Sequence, residues 1–173
     1  MTDVILERDF ADPITAEQVA AMTAEAGGCL ELYRMNWQNS YLADDGRKMV
    51  CYFSAPDTES ARTAFHQMGA VVRTAWPATI HTGSNASLTP NVVVERDFEQ
   101  AVTMESIQAL EDAGAGCLDV RDVRFVKTFF SVDHTRMLCL YNAPDAEAVR
   151  AAQDEAKVPF SRVWSAQLLQ PIE

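Results

Sequence analysis

The sequence lacks the features that identify several large classes of protein. No apolar stretch approaches the roughly 20 residues that a membrane-spanning helix needs. The 14 lysines and arginines form no run or stripe of the kind that binds nucleic acid. Together with 25 acidic residues they give a net charge of −11, and such a field repels phosphate backbones. We therefore expect neither a membrane nor a nucleic acid as a partner.

Catalytic and metal-binding motifs are also missing. There is no glycine-rich phosphate loop, no HExxH and no Ser-His-Asp ordering signal, so the enzyme classes that depend on them are not supported. The three histidines, His66, His81 and His134, stand alone in their segments without HxH or HxxxH spacing. These positions are more typical of a helix surface, a strand end and a turn than of a metal site.

The four cysteines show no CxxC or zinc-finger spacing. The first residues, MTDVILERDF, lack the basic, apolar and small-residue succession of a secretory signal, so we expect a cytoplasmic protein. Thiols stay reduced in that compartment. We therefore interpret the cysteines as small apolar core residues, with a thiol nucleophile or a soft metal ligand as the alternative.

What the sequence does contain is an internal repeat. The segment RKMVCYFSAPDTESAR, residues 47–62, returns as TRMLCLYNAPDAEAVR, residues 135–150, at an offset of 88 residues (135 − 47). The same offset superposes VILERDF on VVVERDF and Trp76 on Trp164 without gaps, which indicates a tandem duplication. We predict a first repeat over residues 1–81, a linker over 82–91 and a second repeat over 92–173.

Each repeat is predicted to contain, in order, strand, helix, strand, strand, helix, strand. Thr15 and Gln18 form a capping box at the start of the first helix, and the pair Gly27-Gly28 is predicted to end it. The second strand then begins at Cys29, and its counterpart in the second repeat begins at Cys117.

The turn between the second and third strands sets their register. Asp45-Gly46 between two strand candidates is a strong hairpin signal. If these two residues form the loop, Ser40 lies opposite Cys51, and the duplicate places Thr128 opposite Cys139. The third strand is apolar at five consecutive positions, as expected of a central strand that is buried on both faces.

This element order is that of ferredoxin-like folds, in which the first and third strands lie in the middle of the sheet. Two helices cover only one face of a four-stranded sheet, so the other face needs a cover. We therefore predict an α+β protein in which two tandem ferredoxin-like βαββαβ units pack sheet to sheet as an intrachain dimeric α+β barrel. A cavity between the sheets is the default binding site.

The ERDF of the first strand, the NSYLADDGRKM segment before the hairpin, and the CYFSAPDTESAR and CLYNAPDAEAVR blocks carry a family resemblance. They resemble a family of ferredoxin-like domains of unknown function that includes a nickel-binding, nickel-responsive bacterial protein. The resemblance covers both repeats and implies a binding protein for nickel, another divalent metal or a small molecule. Members are typically single domains that pair, so this chain resembles a fused pair and is expected as a monomer or homodimer.

Charged residues on the first strand of each repeat are candidates for a site. A charge on a central strand is costly unless it is paired, so each either closes a salt bridge to the neighbouring repeat or contacts a ligand. Aromatic residues at even spacing on the second strand are predicted to share one face, in the core or lining a ligand. The catalytic candidates are Glu7, Glu95 and Tyr41; the ligand-binding candidates are Arg8, Arg96, Trp37, Ser40, Phe125 and Phe129; the metal candidates are His66 and His134.

Two functions stay open at this point. One is a small cytoplasmic protein that binds a divalent metal or a small molecule in or near the inter-sheet cavity. The other is a cofactor-free isomerase, cyclase or oxygenase with a strand-one glutamate as general base and Tyr41 as hydrogen-bond donor, because fold alone does not decide function. Since the second repeat replaces Ser40-Tyr41 with Thr128-Phe129, we expect the working site in the first repeat.

Overall fold

The computed structural model describes residues 1–172. Residues cluster into two compact units, Met1–Ala78 with the chain from Gln167 onward, and Thr79–Ala166. The first half of the chain contains β1 (Thr2–Asp9), α1 (Ala16–Leu32), β2 (Asn36–Ala43), β3 (Lys48–Ala55), α2 (Thr58–Gln67) and β4 (Thr74–Thr82). The second half contains β5 (Val92–Asp97), α3 (Met104–Ala113), α4 (Ala115–Val120), β6 (Arg124–Ser131), β7 (Arg136–Asn142), α5 (Ala146–Ala156) and β8 (Arg162–Leu169).

Each unit is built on an antiparallel sheet. In the first, β1 pairs with β3 and β4, and β2 pairs with β3, so the strand order is β4-β1-β3-β2. In the second, the corresponding pairings give β8-β5-β7-β6. The predicted α+β class, with two repeated units and the first and third strands of each in the middle, is therefore confirmed.

The predicted hairpin register is also confirmed. Ser40 lies opposite Cys51 in the first repeat, and Thr128 lies opposite Cys139 in the second. Gly46, in the turn, has a positive φ of 72° and lies so close to the backbone of Ile14 that a Cβ atom there would be 2.5 Å from the Ile14 carbonyl oxygen. Glycine adopts this conformation without steric cost, and the equivalent turn of the second repeat places His134 at a φ of 64°.

The first helix begins as predicted and ends later. Its capping box is present, since the hydroxyl of Thr15 accepts from the Gln18 amide and the side chain of Gln18 accepts from the Thr15 amide. However, α1 continues through Gly27 and Gly28 to Leu32, so the predicted helix end is wrong. Glycine inside a helix costs only about 1 kcal/mol, and both glycines face open space on a helix whose other side packs into the core.

The second strand of each repeat is correspondingly shorter than predicted. Cys29 lies in α1, and β2 begins only at Asn36. Likewise Cys117 lies in α4, and β6 begins at Arg124. All four cysteines are free thiols; Cys51 and Cys139 are buried, and the other two are partly exposed.

The backbones of the two repeats are alike in detail. The N-cap residues of the helices recur at the offset of 88, as Thr15 with Thr103 and as Asp57 with Asp145. Every positive φ angle in the described chain also recurs at that offset, in the pairs Arg34 and Asp122, Gly46 and His134, and Gly69 and Lys157. Residues 88 apart therefore occupy equivalent places in the two units.

The helices cover one face of each sheet and form a core with it. In the first unit this core includes Val4, Leu6, Val19, Leu30 and Phe65. In the second unit the equivalent side chains of the sheet pack against α3 and α5 in the same way. Within the described chain, no helix is long and apolar enough to cross a membrane.

Gly114, between α3 and α4, provides a test of close helix packing. A Cβ atom at this position would lie 2.3 Å from the Cβ of Ala156 on α5. We expect Gly114→Ala to destabilise the protein by about 1 to 3 kcal/mol, because overpacking forces the two helices apart. Ala156→Gly in the same chain should restore most of that loss. Urea unfolding measures both variants, and a Gly114→Ala variant as stable as the parent would contradict this account of the contact.

Candidate functional site

A pocket of about 420 Å³ lies in the first unit, on the side of the sheet that α1 and α2 cover. Its walls come from β1, β2 and β3, from both helices, and from the turn that follows α2. Most of the lining is apolar, with Met22, Phe53 and Phe65 among the largest side chains. The polar groups that reach it from the sheet are Arg8, Ser40 and Cys51.

Arg8 supplies the positive charge of the pocket. Its Nε donates to the Val71 carbonyl oxygen at 3.1 Å, and its guanidinium carbon lies 5.0 Å from the ring centre of Phe10 and 5.7 Å from that of Phe65. No carboxylate among the described residues forms an ion pair with it. Burial lowers the pKa of Arg8, with a smaller opposing effect from Cys51, yet arginine keeps its charge in proteins.

Ser40 and Cys51 are neighbours across the β2-β3 ladder. Burial raises the pKa of Cys51 to about 11, although the hydrogen bond from Ser40 and the charge of Arg8 act in the opposite direction. The thiol is therefore protonated at neutral pH and is a poor nucleophile or metal ligand in that state.

A β-bulge decides which side chains of β2 reach the pocket. The bulge lies between Trp37 and Asn39 and shifts the alternation of the strand. Trp37 and Ser40 both line the pocket, and the indole Nε1 of Trp37 donates to Ser40 Oγ at 2.9 Å. Tyr41 is the next residue on the strand and so points to the opposite face. The prediction that Trp37 and Tyr41 share a face is therefore wrong, because alternation from sequence does not register a bulge.

The equivalent bulge in β6 separates Phe125 from Phe129. It lies between Phe125 and Lys127. Phe125 packs against the helix-side core, with its ring 5.8 Å from that of Tyr141. Phe129 is fully buried and does not belong to that core. A ligand-lining role for either phenylalanine stays a prediction.

Glu7 is buried and paired on the sheet face away from the pocket. Its two carboxylate oxygens accept hydrogen bonds from Arg73 at 2.9 Å and from the indole of Trp76 at 2.7 Å. Arg73 also forms an ion pair with Asp9 at 3.1 Å. The salt-bridge partner of Glu7 thus lies within its own repeat, whereas the expectation from the sequence was a salt bridge to the neighbouring repeat or a contact with a ligand.

Glu95 repeats this arrangement with a different arginine. It accepts from Arg136 at 2.7 Å and from the indole of Trp164 at 2.8 Å, and Arg136 pairs with Asp97 as well. The residue equivalent to Arg73 is Ser161, whose hydroxyl donates to Asp97 at 2.9 Å. Roles for Glu7 and Glu95 as general bases stay predictions.

Arg96 is fully buried and surrounded by polar partners. Its Nη1 donates to the Pro159 carbonyl oxygen at 2.6 Å. Its Nη2 lies 3.4 Å from Glu111, 3.1 Å from the Tyr141 hydroxyl and 2.7 Å from Gln153. The Tyr141 hydroxyl also donates to Glu111. We call Arg96, Glu111, Tyr141 and Gln153 the polar cluster.

The polar cluster stabilises the protonated, positively charged form of Arg96. Burial alone would lower the pKa of Arg96, but Cys139, Tyr141 and Glu111 outweigh it, so the net shift is upward. Burial, followed by the nearby charge of Glu111, raises the pKa of Tyr141 well above its usual range. The cluster therefore consists of a buried ion pair whose hydrogen bonds are completed by a neutral phenol and an amide.

The metal candidates lie apart from these groups. His66 is exposed on α2, in the first repeat. His134 lies in the β6-β7 turn with a positive φ, and its ring stacks on Phe130 with 4.6 Å between ring centres. Residues 1–172 include no cluster of three or more His, Cys, Asp and Glu side chains that would hold a metal.

Sequence reasoning missed several residues of the pocket and of the polar cluster. It assigned no site role to Thr23, Phe53 or Phe65 in the first repeat, nor to Glu111 or Gln153 in the second. The repeat alignment carries a signal for them, because Glu111 aligns with Thr23 and Gln153 aligns with Phe65. Each of these helix positions is charged or carries an amide in the second repeat and is uncharged or apolar in the first. Such a difference indicates that the surroundings of that position differ between the two repeats.

The fold and the pocket define an α+β protein made of two ferredoxin-like repeats, with a cavity of small-molecule size in the first. The family described as nickel responsive protein SCO4226-like matches residues 5–77 and 93–165, which together are most of the chain. The chain therefore belongs to this family, as a tandem pair. No curated protein matches the sequence significantly.

Solved structures show the same fold at low sequence identity. A mutant chlorite dismutase from Candidatus Nitrospira defluvii, in complex with cyanide, is 14% identical at a TM-score of 0.53, over 95% of this chain and 90% of that one. A heme-binding protein from Thermus thermophilus is 10% identical at a TM-score of 0.50, over 98% of this chain and 91% of the other. These neighbours are of the dimeric α+β barrel kind, and they bear on the fold alone.

The polar cluster gives a prediction about stability. We expect Glu111→Gln to lower the free energy of unfolding by about 3 kcal/mol, because it leaves the buried charge of Arg96 without its counter-charge. Thr23→Ala, at the equivalent position of the first repeat, should cost less than about 1 kcal/mol. Urea unfolding at neutral pH compares them, and equal losses would show that Glu111 does not compensate Arg96.

Proposed function

We propose that the protein binds a small organic molecule in the pocket of its first repeat. The observation that carries this proposal is the pocket itself, whose volume of about 420 Å³ falls within the roughly 300 to 1,000 Å³ typical of small-molecule sites. Its composition also fits, because apolar walls surround a few convergent polar groups. The proposed site thus lies between the sheet and its helices, away from the sheet face first expected to bind.

The comparisons support a role in binding. The family is described as nickel responsive, and one structural neighbour is described as heme-binding. Both descriptions concern proteins that respond to or hold a metal or a small molecule. The packing of the two sheets against each other stays a prediction.

A resident nickel ion fits the described residues less well than an organic ligand does. Nickel favours imidazole and carboxylate ligands in a defined geometry, and the described chain brings no such group of ligands together. Cys51, the thiol of the pocket, is held protonated by its burial. The assignment of His66 and His134 as ligands therefore lacks support from the side-chain arrangement.

The alternative function, a cofactor-free enzyme with a strand-one glutamate as base, also has less support. A general base needs an oxygen that is free to accept a proton from the substrate. In Glu7 and Glu95 each carboxylate oxygen already accepts from an arginine or from a tryptophan indole. These glutamates are better suited to holding the strands together.

The proposed function is tested with N-phenyl-1-naphthylamine, an uncharged probe that fluoresces when it leaves water for an apolar site. We expect saturable fluorescence with the parent protein. Ala26 lines the pocket from α1, so Ala26→Phe should fill the space and weaken binding by at least about tenfold, which corresponds to 1.4 kcal/mol.

Ala24→Phe is the matched control for this experiment. Ala24 lies on the same helix and is exposed, and this substitution should leave probe binding unchanged. Circular dichroism confirms that both variants fold. If both variants bind the probe as the parent does, the pocket is not the binding site.

A further inference from the structure

We propose that the pocket selects a carboxylate with an apolar body, and that Arg8 receives the carboxylate. This inference rests on the proposed binding function and names the chemical class of its ligand. It follows from the difference between two arginines at equivalent positions, Arg8 and Arg96, on the first strands of the two repeats.

In the second repeat, protein side chains fill the space around Arg96, and they show which groups an arginine at this position binds. Glu111 supplies a carboxylate, Tyr141 a hydroxyl and Gln153 an amide oxygen, all at Nη2 of Arg96. These side chains come from α3, β7 and α5, so they fill the space between the helices and the sheet. The carboxylate of Glu111 is the only acidic group in this polar cluster.

The first repeat lacks all three of these partners. At the offset of 88, Glu111 is replaced by Thr23, Tyr141 by Phe53 and Gln153 by Phe65. All three replacements line the pocket, as does Arg8. The pocket therefore occupies the place that the polar cluster fills in the second repeat.

One contact of the arginine is retained in both repeats. Arg8 donates to the carbonyl oxygen of Val71, and Arg96 donates to that of the equivalent residue, Pro159. In each repeat the guanidinium group is thus held by the segment that follows the helix before the last strand. In Arg8 this bond uses Nε, and neither terminal nitrogen has a hydrogen-bond acceptor among the described residues.

A guanidinium in such a place favours an anion with two oxygens. Its terminal N–H groups form a planar fork that matches a carboxylate in a bidentate contact. A charge in partly desolvated surroundings gains more from a counter-charge than a charge in water does. A ligand carboxylate at Arg8 would supply what Glu111 supplies at Arg96.

The other residues that line the pocket indicate which kind of anion fits it. Its walls beyond Arg8 are largely apolar, with Met22, Leu30, Phe53 and Phe65, so the body of the ligand should be an aliphatic or aromatic group. Glu25, exposed on α1, also lines the pocket and disfavours a second negative charge. A monocarboxylate therefore fits better than a phosphate ester with two charges.

Calorimetry with octanoate and octan-1-ol separates the charge from the apolar body. We expect the parent protein to bind octanoate at least about tenfold more tightly than the alcohol, since only the acid pairs with Arg8. Arg8→Gln should weaken octanoate binding by about 10- to 100-fold and should change binding of the alcohol by less than about twofold. Arg124→Gln, an exposed arginine on β6, is the control and should change neither.

A second variant tests the inference by rebuilding the polar cluster. Thr23→Glu combined with Phe53→Tyr and Phe65→Gln supplies Arg8 with the three partners of Arg96, and it should abolish octanoate binding. Should Arg8→Gln fail to fold, Arg8→Lys keeps the charge without the fork and should weaken octanoate by an intermediate factor.

The outcomes distinguish the two proposals. If octan-1-ol or the naphthylamine probe binds the pocket and octanoate binds no better, or if Arg8→Gln leaves octanoate binding unchanged, the carboxylate inference is overturned and the binding function stands. If neither compound nor the probe binds the parent protein, both proposals fail.

Discussion

The constraint on which much of this structure depends is the positive charge that each repeat places on a central strand. A guanidinium between a sheet and its helices must find a counter-charge or hydrogen-bond acceptors, because its hydration is lost. The second repeat meets this need with Glu111, Tyr141 and Gln153, which pack around Arg96 and leave it fully buried. The first repeat keeps Arg8 half-buried and leaves open space beside it. At the same position, the space beside the arginine is filled by side chains in the second unit and forms a pocket in the first.

The acidic residue next to each arginine shows a different response to the same kind of constraint. Glu7 and Glu95 are both buried and both accept from a tryptophan at the same relative position. Their cations differ in origin, since Arg73 precedes β4 whereas Arg136 opens β7. The requirement for a counter-charge has been retained, and the residue that meets it has changed. This behaviour is typical of a structural ion pair, whose energy depends on distance and burial more than on which element supplies the partner.

Much of the fold was predictable because its signals are local or repeated. The offset of 88 identified the two repeats, the capping box at Thr15 located the start of α1, and Asp45-Gly46 fixed the hairpin register. The failures have physical causes: packing of α1 outweighs the modest cost of Gly27 and Gly28, and the bulge after Trp37 reverses the faces of β2. The pocket was not predictable, because Arg8, Thr23, Phe53 and Phe65 are far apart in sequence and only the tertiary fold brings them to one place.

The fusion of two repeats in one chain has a consequence for stoichiometry. In a homodimer of identical repeats, any substitution that opens a cavity in one subunit opens it in the other, so sites come in pairs. Here the residues around Arg8 and Arg96 have diverged independently, which gives one open unit and one filled unit in every molecule. If the proposed ligand binds beside Arg8, each chain therefore offers one such site, where a pair of identical repeats would offer two.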